Sequence, residues 1–254
     1  MTIVESIFLG LVQGLSEFLP ISSSGHLKLA ERIFCIQSTL LFDVTLHVAT
    51  ALSVVVGFLP QVKKLFVKPV KNRRLHRIIF ATLCTLPIAL VMRLFVLESP
   101  FEPYLLTIGF ALTTILLWLT SLLPTSKSKP LWAKPTWVVL VCGAVQGIAT
   151  LPGLSRSCTT ISTLKLLKVD KNDAVEFSFL LSLPIILASA LAELVATSNT
   201  TFTIPWYCFL TGFVVAFLSG LLGIRLVQKL FGQDKQHWFA LYMTIPLLLS
   251  ILLW

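Results

Sequence analysis

The sequence predicts an all-α polytopic membrane protein, an inverted-topology repeat with six transmembrane helices and two re-entrant helical hairpins. Three observations lead there. Hydrophobic residues make up 56% of the 254 and charged residues 12%, against about 25% charged in a soluble domain; mean hydropathy is +0.90. One motif occurs twice: Gly10 to Gly25 reads GLVQGLSEFLPISSSG, and Gly143 to Thr159 reads GAVQGIATLPGLSRSCT. Basic residues gather in alternate loops between the apolar stretches.

The elements follow in order. A span needs about 20 apolar residues. The stretches near 3–19 and 23–36 are too short, and Pro20 with the serines divides them, so together they predict a re-entrant hairpin over 3–36. Spans are expected near 42–60, 78–97 and 103–124, completing a first repeat over 1–125. The second repeat, 135–254, opens with a hairpin over 136–168, whose arms near 136–151 and 156–168 are divided by Pro152-Gly153. Spans near 174–197, 205–231 and 237–254 complete it, and 1–254 is one membrane domain. Broken backbone at membrane depth is tolerated only where protein or a water-filled cavity surrounds it. A hairpin plus three spans crosses an odd number of times. The second half is therefore inverted, and the hairpins enter from opposite faces.

Loop charge sets the orientation. The loop after the first span holds Lys63, Lys64, Lys68, Lys71, Arg73, Arg74 and Arg77 and no acid; the next holds Glu98 and Glu102 and no base. Lys127, Lys129 and Lys134 follow, then Lys165, Lys168 and Lys171 at the end of the second hairpin. An uncharged loop near 198–204 comes next, and last Arg225, Lys229 and Lys235. The basic loops and the second hairpin's ends are expected in the cytoplasm, with the first hairpin entering from outside and both termini outside. Lys28 and Arg32 are outer-side exceptions that read as interfacial snorkelling. A net charge of +9 spread this way reflects topology and points away from nucleic acid. Cys35, Cys84, Cys142, Cys158 and Cys208 contain no Cys-x-x-Cys pair, which argues against a zinc site or a disulfide framework. The N-terminus has no basic n-region and carries Glu5, so it reads as mature sequence.

Matching Gly/Pro-interrupted segments in two halves of a membrane protein point to a site at the repeat interface. Gln13 and Glu17 lie four apart on one helix face. An ionisable group inside a membrane segment reads as functional; the structural alternative is a cap near Pro20. Ser22, Ser23, Ser24, Gly25 and His26 open the second arm. One serine there is an ordinary N-cap. Three serines beside the N–H groups of a helix start make a phosphate cradle. His26 is a candidate nucleophile, general base or proton donor to the leaving group. The second hairpin brings Ser155, Arg156, Ser157 and, a turn later, Thr160. A guanidinium matches phosphate oxygens in a fork, and an arginine at this depth needs Glu17 or a bound phosphate as partner. Asp43 and His47, at the outer start of the first span, are candidates to line the site. Glu176 and Glu193 read as structural, and His76 and His237 as loop-edge residues.

These residues closely resemble those of the bacterial undecaprenyl-diphosphate phosphatase family of the bacitracin-resistance type. The resemblance rests on residues 10–20, Ser-Ser-Ser-Gly-His at 22–26, Phe-Asp-Val-x-x-His at 42–47, Pro-Gly-Leu-Ser-Arg-Ser at 152–157 and Glu-Phe-Ser-Phe-Leu-Leu-x-x-Pro at 176–184. It implies removal of the terminal phosphate of undecaprenyl diphosphate, which recycles the lipid carrier for cell-wall synthesis and gives bacitracin resistance. It further implies an interlocked inverted-repeat fold in the inner (cytoplasmic) membrane and dependence on a divalent cation, Mg2+ or Ca2+. Carried over by position, the acidic motif falls on Gln13 and Glu17, with Glu17 the metal candidate. The serine and histidine fall on Ser23 and His26, and the phosphate segment on Ser155, Arg156, Ser157 and Thr160. Three positions depart from the family: Gln13 where Glu is common, and Cys158 and Ala49 where Gly is common. The expected partners are a polyprenyl diphosphate and membrane lipids; a homodimer is left open. The rival reading is a polyprenyl-phosphate transporter or flippase, because broken helices in inverted repeats also build transporters. The sequence leaves open whether Ser23, His26 or a water attacks, and on which side the site opens.

Overall fold

The computed structural model describes residues 1–97, 102–122, 128–196, 204–232 and 235–253. Glu98, Lys127 and positions 198–203 of the expected loops lie outside these. The helices, in chain order, are α1 Ile3–Phe18, α2 Ser23–Phe34, α3 Leu40–Gly57, α4 Leu59–Phe66, α5 Arg73–Leu97 and α6 Glu102–Ser121. They continue with α7 Trp137–Ile148, α8 Arg156–Leu166, α9 Lys171–Ala196, α10 Trp206–Gly232 and α11 His237–Leu253. Among the described residues the only β pairing is an isolated bridge between Lys129 and Val169.

Local chemistry sets the boundaries. Glu5 and Thr2 close a capping box on α1 (Thr2 N to Glu5 Oε2, 2.6 Å; Glu5 N to Thr2 Oγ1, 3.2 Å). α1 stops where Pro20 forces Leu19 into extended backbone (φ −61°, ψ 141°). Ser22 Oγ then accepts from Gly25 N at 3.3 Å and starts α2. In the second half, α7 ends at Ile148, Gly153 takes φ +81°, and Ser155 Oγ accepts from Cys158 N at 3.2 Å to start α8. Each half therefore opens with a short helix, a break and a serine-capped short helix. The span expected over 42–60 is cut at Phe58, because Pro60 sits in the first turn of α4, where its missing N–H costs nothing.

Among the described residues, five helices (α3, α5, α6, α9 and α10) are long and apolar enough to cross a membrane. α11, which falls on the sixth expected span, is a shorter apolar helix of 17 residues. The outer face of α5 exposes Leu83, Leu90, Val91 and Phe95, the apolar belt expected where lipid is the solvent.

The two halves exchange partners. α1 lies chiefly against α10, and α7 chiefly against α5. Both contacts use the duplicated Gly-x-Val-Gln-Gly. A Cβ on Gly14 would lie 2.0 Å from Ser219 Oγ, and one on Gly143 would lie 2.2 Å from the Ala81 carbonyl oxygen. Close backbone approach through small residues is how helices associate where lipid removes the hydrophobic driving force. A hydroxyl crosses each seam: Ser219 Oγ donates to Gly10 O at 3.3 Å, and Thr85 Oγ1 to Gly143 O at 2.8 Å. α3 packs against α10 and α9, and α6 against α11.

The contacts also define two ends. At one, Arg74 pairs with Glu176 at 2.5 Å. Arg77 donates there to the carbonyls of Leu131, Trp132 and Lys134, and Lys165 and Gln236 both donate to Thr120 O. The loops whose basic residues read as cytoplasmic share this end. At the other, Ser6 bonds Thr211 at 2.6 Å and Cys208 Sγ approaches Met1 O at 3.6 Å. α1 thus starts beside the start of α10, and α7 starts beside the basic start of α5, at the opposite end of the bundle.

Candidate functional site

The breaks of the two short-helix pairs meet in the middle. A Cβ on Gly25 would lie 2.5 Å from Phe110 Cζ and 3.2 Å from Gly153 Cα. Ser157 Oγ donates across the junction to Leu19 O at 3.1 Å. Thr113 of α6 clamps the second break: its Oγ1 donates to Gly153 O at 3.0 Å and accepts from Ser155 N at 2.9 Å. Ser22 sits at φ 71°, a left-handed value for a non-glycine residue that costs on the order of 1–3 kcal/mol. Strain of this kind concentrates at functional sites.

At the junction lies a buried carboxylate. The Glu17 side chain is 2% exposed and forms an ion pair with Arg156, whose Nη2 contacts Oε1. Oε2 accepts from Ser23 Oγ at 2.5 Å and from Gln13 Nε2 at 3.0 Å. His47 Nε2 stands 4.0 Å from the same oxygen. Its Nδ1 donates to the Asp43 carbonyl at 2.8 Å, so Asp43 fixes the His47 ring through its backbone. Four elements thus converge on Glu17: α1 itself, α2 through Ser23, α3 through His47 and α8 through Arg156.

His26 stands beside this cluster without joining it. Its Nδ1 bonds Ser22 O at 2.8 Å and its Nε2 bonds Tyr242 Oη at 3.0 Å, so neither nitrogen reaches Ser23 or Glu17. Ser155 and Ser157 are buried with their hydroxyls 3.1 Å apart, and Ser24 is exposed, 3.5 Å from Ser22 Oγ. Thr160 is turned elsewhere: it is buried and ties α8 to α9 through Ser178 at 2.5 Å. Tyr242, Thr113 and Phe110 are contacts that the sequence reading did not single out. Thr113 follows Gly109 by one helical turn, a small-residue pair that signals a close helix seam. Tyr242 carries no such signal.

Among the described residues no group of three His, Cys, Asp or Glu side chains is placed to hold a metal. One acceptor is nonetheless orphaned beside Glu17: the buried Gln13 Oε1 has no hydrogen-bond partner. A neutral oxygen next to a carboxylate suits a hard cation that takes its remaining ligands from a phosphate.

The bacitracin resistance protein BacA family model matches residues 6–248 of the chain. Among curated relatives, the undecaprenyl-diphosphatase of Christiangramia forsetii is 38% identical over 99% of this chain and 98% of its own. That of Protochlamydia amoebophila is 37% identical over 95% of each chain, and that of Methanococcus vannielii is 34% identical over 98% of this chain and 99% of its own.

Proposed function

We infer that this chain, which belongs to the bacitracin resistance protein BacA family, hydrolyses undecaprenyl diphosphate to undecaprenyl phosphate and inorganic phosphate. Its product is the lipid carrier returned to cell-wall synthesis. The observation that carries the chemistry is the buried Glu17 carboxylate, shared between the Arg156 guanidinium and the Ser23 hydroxyl.

Phosphoryl transfer is mostly positioning and charge stabilisation. The prenyl tail stays in the bilayer against the apolar flanks while the diphosphate enters at the junction. Arg156 turns from Glu17 to the terminal phosphate, joined by the free N–H groups that open α2 and α8. Glu17, relieved of its cation, draws the Ser23 proton along the 2.5 Å contact. Ser23 Oγ attacks the terminal phosphorus, the bond to the bridging oxygen breaks, and undecaprenyl phosphate leaves. Water, giving a proton to His26 Nε2, then attacks the phosphoserine, and Glu17 returns its proton to Ser23 as phosphate leaves. A divalent cation, Mg2+ or Ca2+, would be held by Gln13 Oε1 and Glu17 together with substrate oxygens. When bound it neutralises diphosphate charge.

In this reading α1–α2 and α7–α8 are re-entrant hairpins of two inverted repeats, 1–125 and 135–254, and α11 is a sixth span in the cytoplasmic membrane. The exchanged packing of α1 on α10 and α7 on α5, and the start of the two pairs at opposite ends of the bundle, support it.

The test is phosphate release from undecaprenyl diphosphate by the purified protein in detergent, with and without divalent cation, beside Glu17→Ala, His26→Ala and Arg156→Ala. Cation-dependent release by the parent, lowered at least about 10²-fold in all three folded variants, is expected. Absence of release from folded parent protein, with prenyl-phosphate flux across liposomes, would establish a transporter instead.

A further inference from the structure

We propose that Tyr242 is a positioning residue for His26, fixing its tautomer and its ring from the last helix of the chain. The carbonyl of Ser22 has no proton to give, so His26 Nδ1, 2.8 Å away, is the protonated nitrogen. In the neutral ring Nε2 then carries only a lone pair. The group facing it at 3.0 Å is the Tyr242 hydroxyl, which must be the donor. Both ring nitrogens are thereby satisfied, and only one neutral tautomer is compatible with both contacts.

The surroundings hold that arrangement. Phe110 meets the imidazole edge-on (centroids 5.8 Å apart, planes at 87°), while Tyr242 lies nearly parallel to it (5.7 Å, 15°). Tyr242 arrives on α11, which lies along α6, and its neighbour Met243 is buried with its carbonyl 3.5 Å from Thr114 Oγ1. α6 also carries Phe110 and the Thr113 clamp on the second break. The Ser22 carbonyl at the far end of the chain of bonds belongs to the strained cap of α2. Without the Tyr242 hydroxyl, Nε2 loses its donor, and the Ser22 carbonyl alone is left to oppose tautomer exchange and rotation of the ring. In the arrangement seen, Nε2 is the one atom of His26 free to take up a proton when a water or a substrate oxygen replaces the tyrosine.

The proposal rests on the phosphatase reading for its activity arm and on geometry alone for its spectroscopic arm. Full-length protein labelled with 15N-histidine in detergent micelles gives ring resonances from four histidines, and His26→Gln assigns the one of interest. The expected parent spectrum shows a protonated Nδ1 and a hydrogen-bonded, unprotonated Nε2. Tyr242→Phe, which keeps the ring contact, is expected to mix the two tautomers and to lower kcat about tenfold, leaving KM within about twofold. In a His26→Gln background the same change is expected to have no further effect on kcat. Tyr242→Gln, which returns an N–H donor, is expected to restore the tautomer in part and controls for loss of fold. An unchanged tautomer in folded Tyr242→Phe, an unchanged kcat, or an equal loss of kcat in both backgrounds would each overturn the proposal. A parent protein that releases no phosphate while showing the expected spectrum would sink the phosphatase reading and leave the tautomer assignment standing.

Discussion

Ser22 and Ser155 occupy the same place in the two broken pairs. Each caps the second arm through its hydroxyl, and each offers its carbonyl to a side chain one turn later: His26 Nδ1 at 2.8 Å in the first pair, Thr159 Oγ1 at 2.9 Å in the second. Gln13 and Gln146 match as well, both buried with an orphaned Oε1. From this common frame the chemistry diverges. Where the first pair has Glu17, the second has Thr150, whose hydroxyl only closes on Gly147 O. Where the first has Ser23, the second has Arg156. The two supports are alike and their side chains differ: the first brings carboxylate, hydroxyl and imidazole, the second a cation and a clamped loop. Neither pair alone makes a site.

The largest effect that tests this division comes from the unequal pair of positions. Glu17→Ala removes the partner of Arg156 and the proposed base beside Ser23, and phosphate release is expected to fall about 10³-fold. Thermal unfolding in detergent should show a loss of about 3–5 kcal/mol, because a buried cation is left uncompensated. Thr150→Ala, at the matching exposed position, should leave stability within about 0.5 kcal/mol and release unchanged; a large loss of release there would break the comparison. A smaller effect probes the shared frame. Gly14→Ala and Gly143→Ala each push a methyl into a facing helix, 2.0 Å from Ser219 Oγ and 2.2 Å from Ala81 O. Each should lower unfolding stability by about 1–3 kcal/mol, and a loss confined to one of them would show that the two seams are unequal. The smallest effect separates the caps. Ser155→Ala should cost about 1 kcal/mol as a lost N-cap. Ser22→Gly should be neutral or gain about 1 kcal/mol, because release from φ 71° offsets the lost bond. A clear loss at Ser22 would mean that its backbone is not strained.

Much of this was legible because Gly, Pro and Ser leave local signatures. The duplicated Gly-x-Val-Gln-Gly marked the tight seams, Pro20 and Pro152-Gly153 marked the breaks, and a glutamate and an arginine in apolar surroundings called for each other. The pairing of Glu17 with Arg156 follows from the expense of isolated charge at that depth. Other features had no such signature. The exchange of α1 and α7 between halves depends on which small-residue faces meet, and many apolar helices carry such faces. Tyr242 is one aromatic in an apolar helix, and its role exists only because α11 brings it opposite His26. Thr160, read as a phosphate ligand from its place after Arg156, has its hydroxyl on Ser178 instead, since a residue one turn along α8 faces α9.

The exchanged packing also has a history in time. Gly143 meets Thr85 across 58 residues of chain, whereas Gly10 must wait for Ser219, 209 residues later. A ribosome feeding this chain into a membrane therefore completes the seam between α7 and α5 first. The helix that carries Glu17, although made first, stays without its α10 partner until nearly the whole protein has been inserted. A chain truncated before α10 therefore retains every side chain that touches Glu17 and lacks the helix against which α1 chiefly packs.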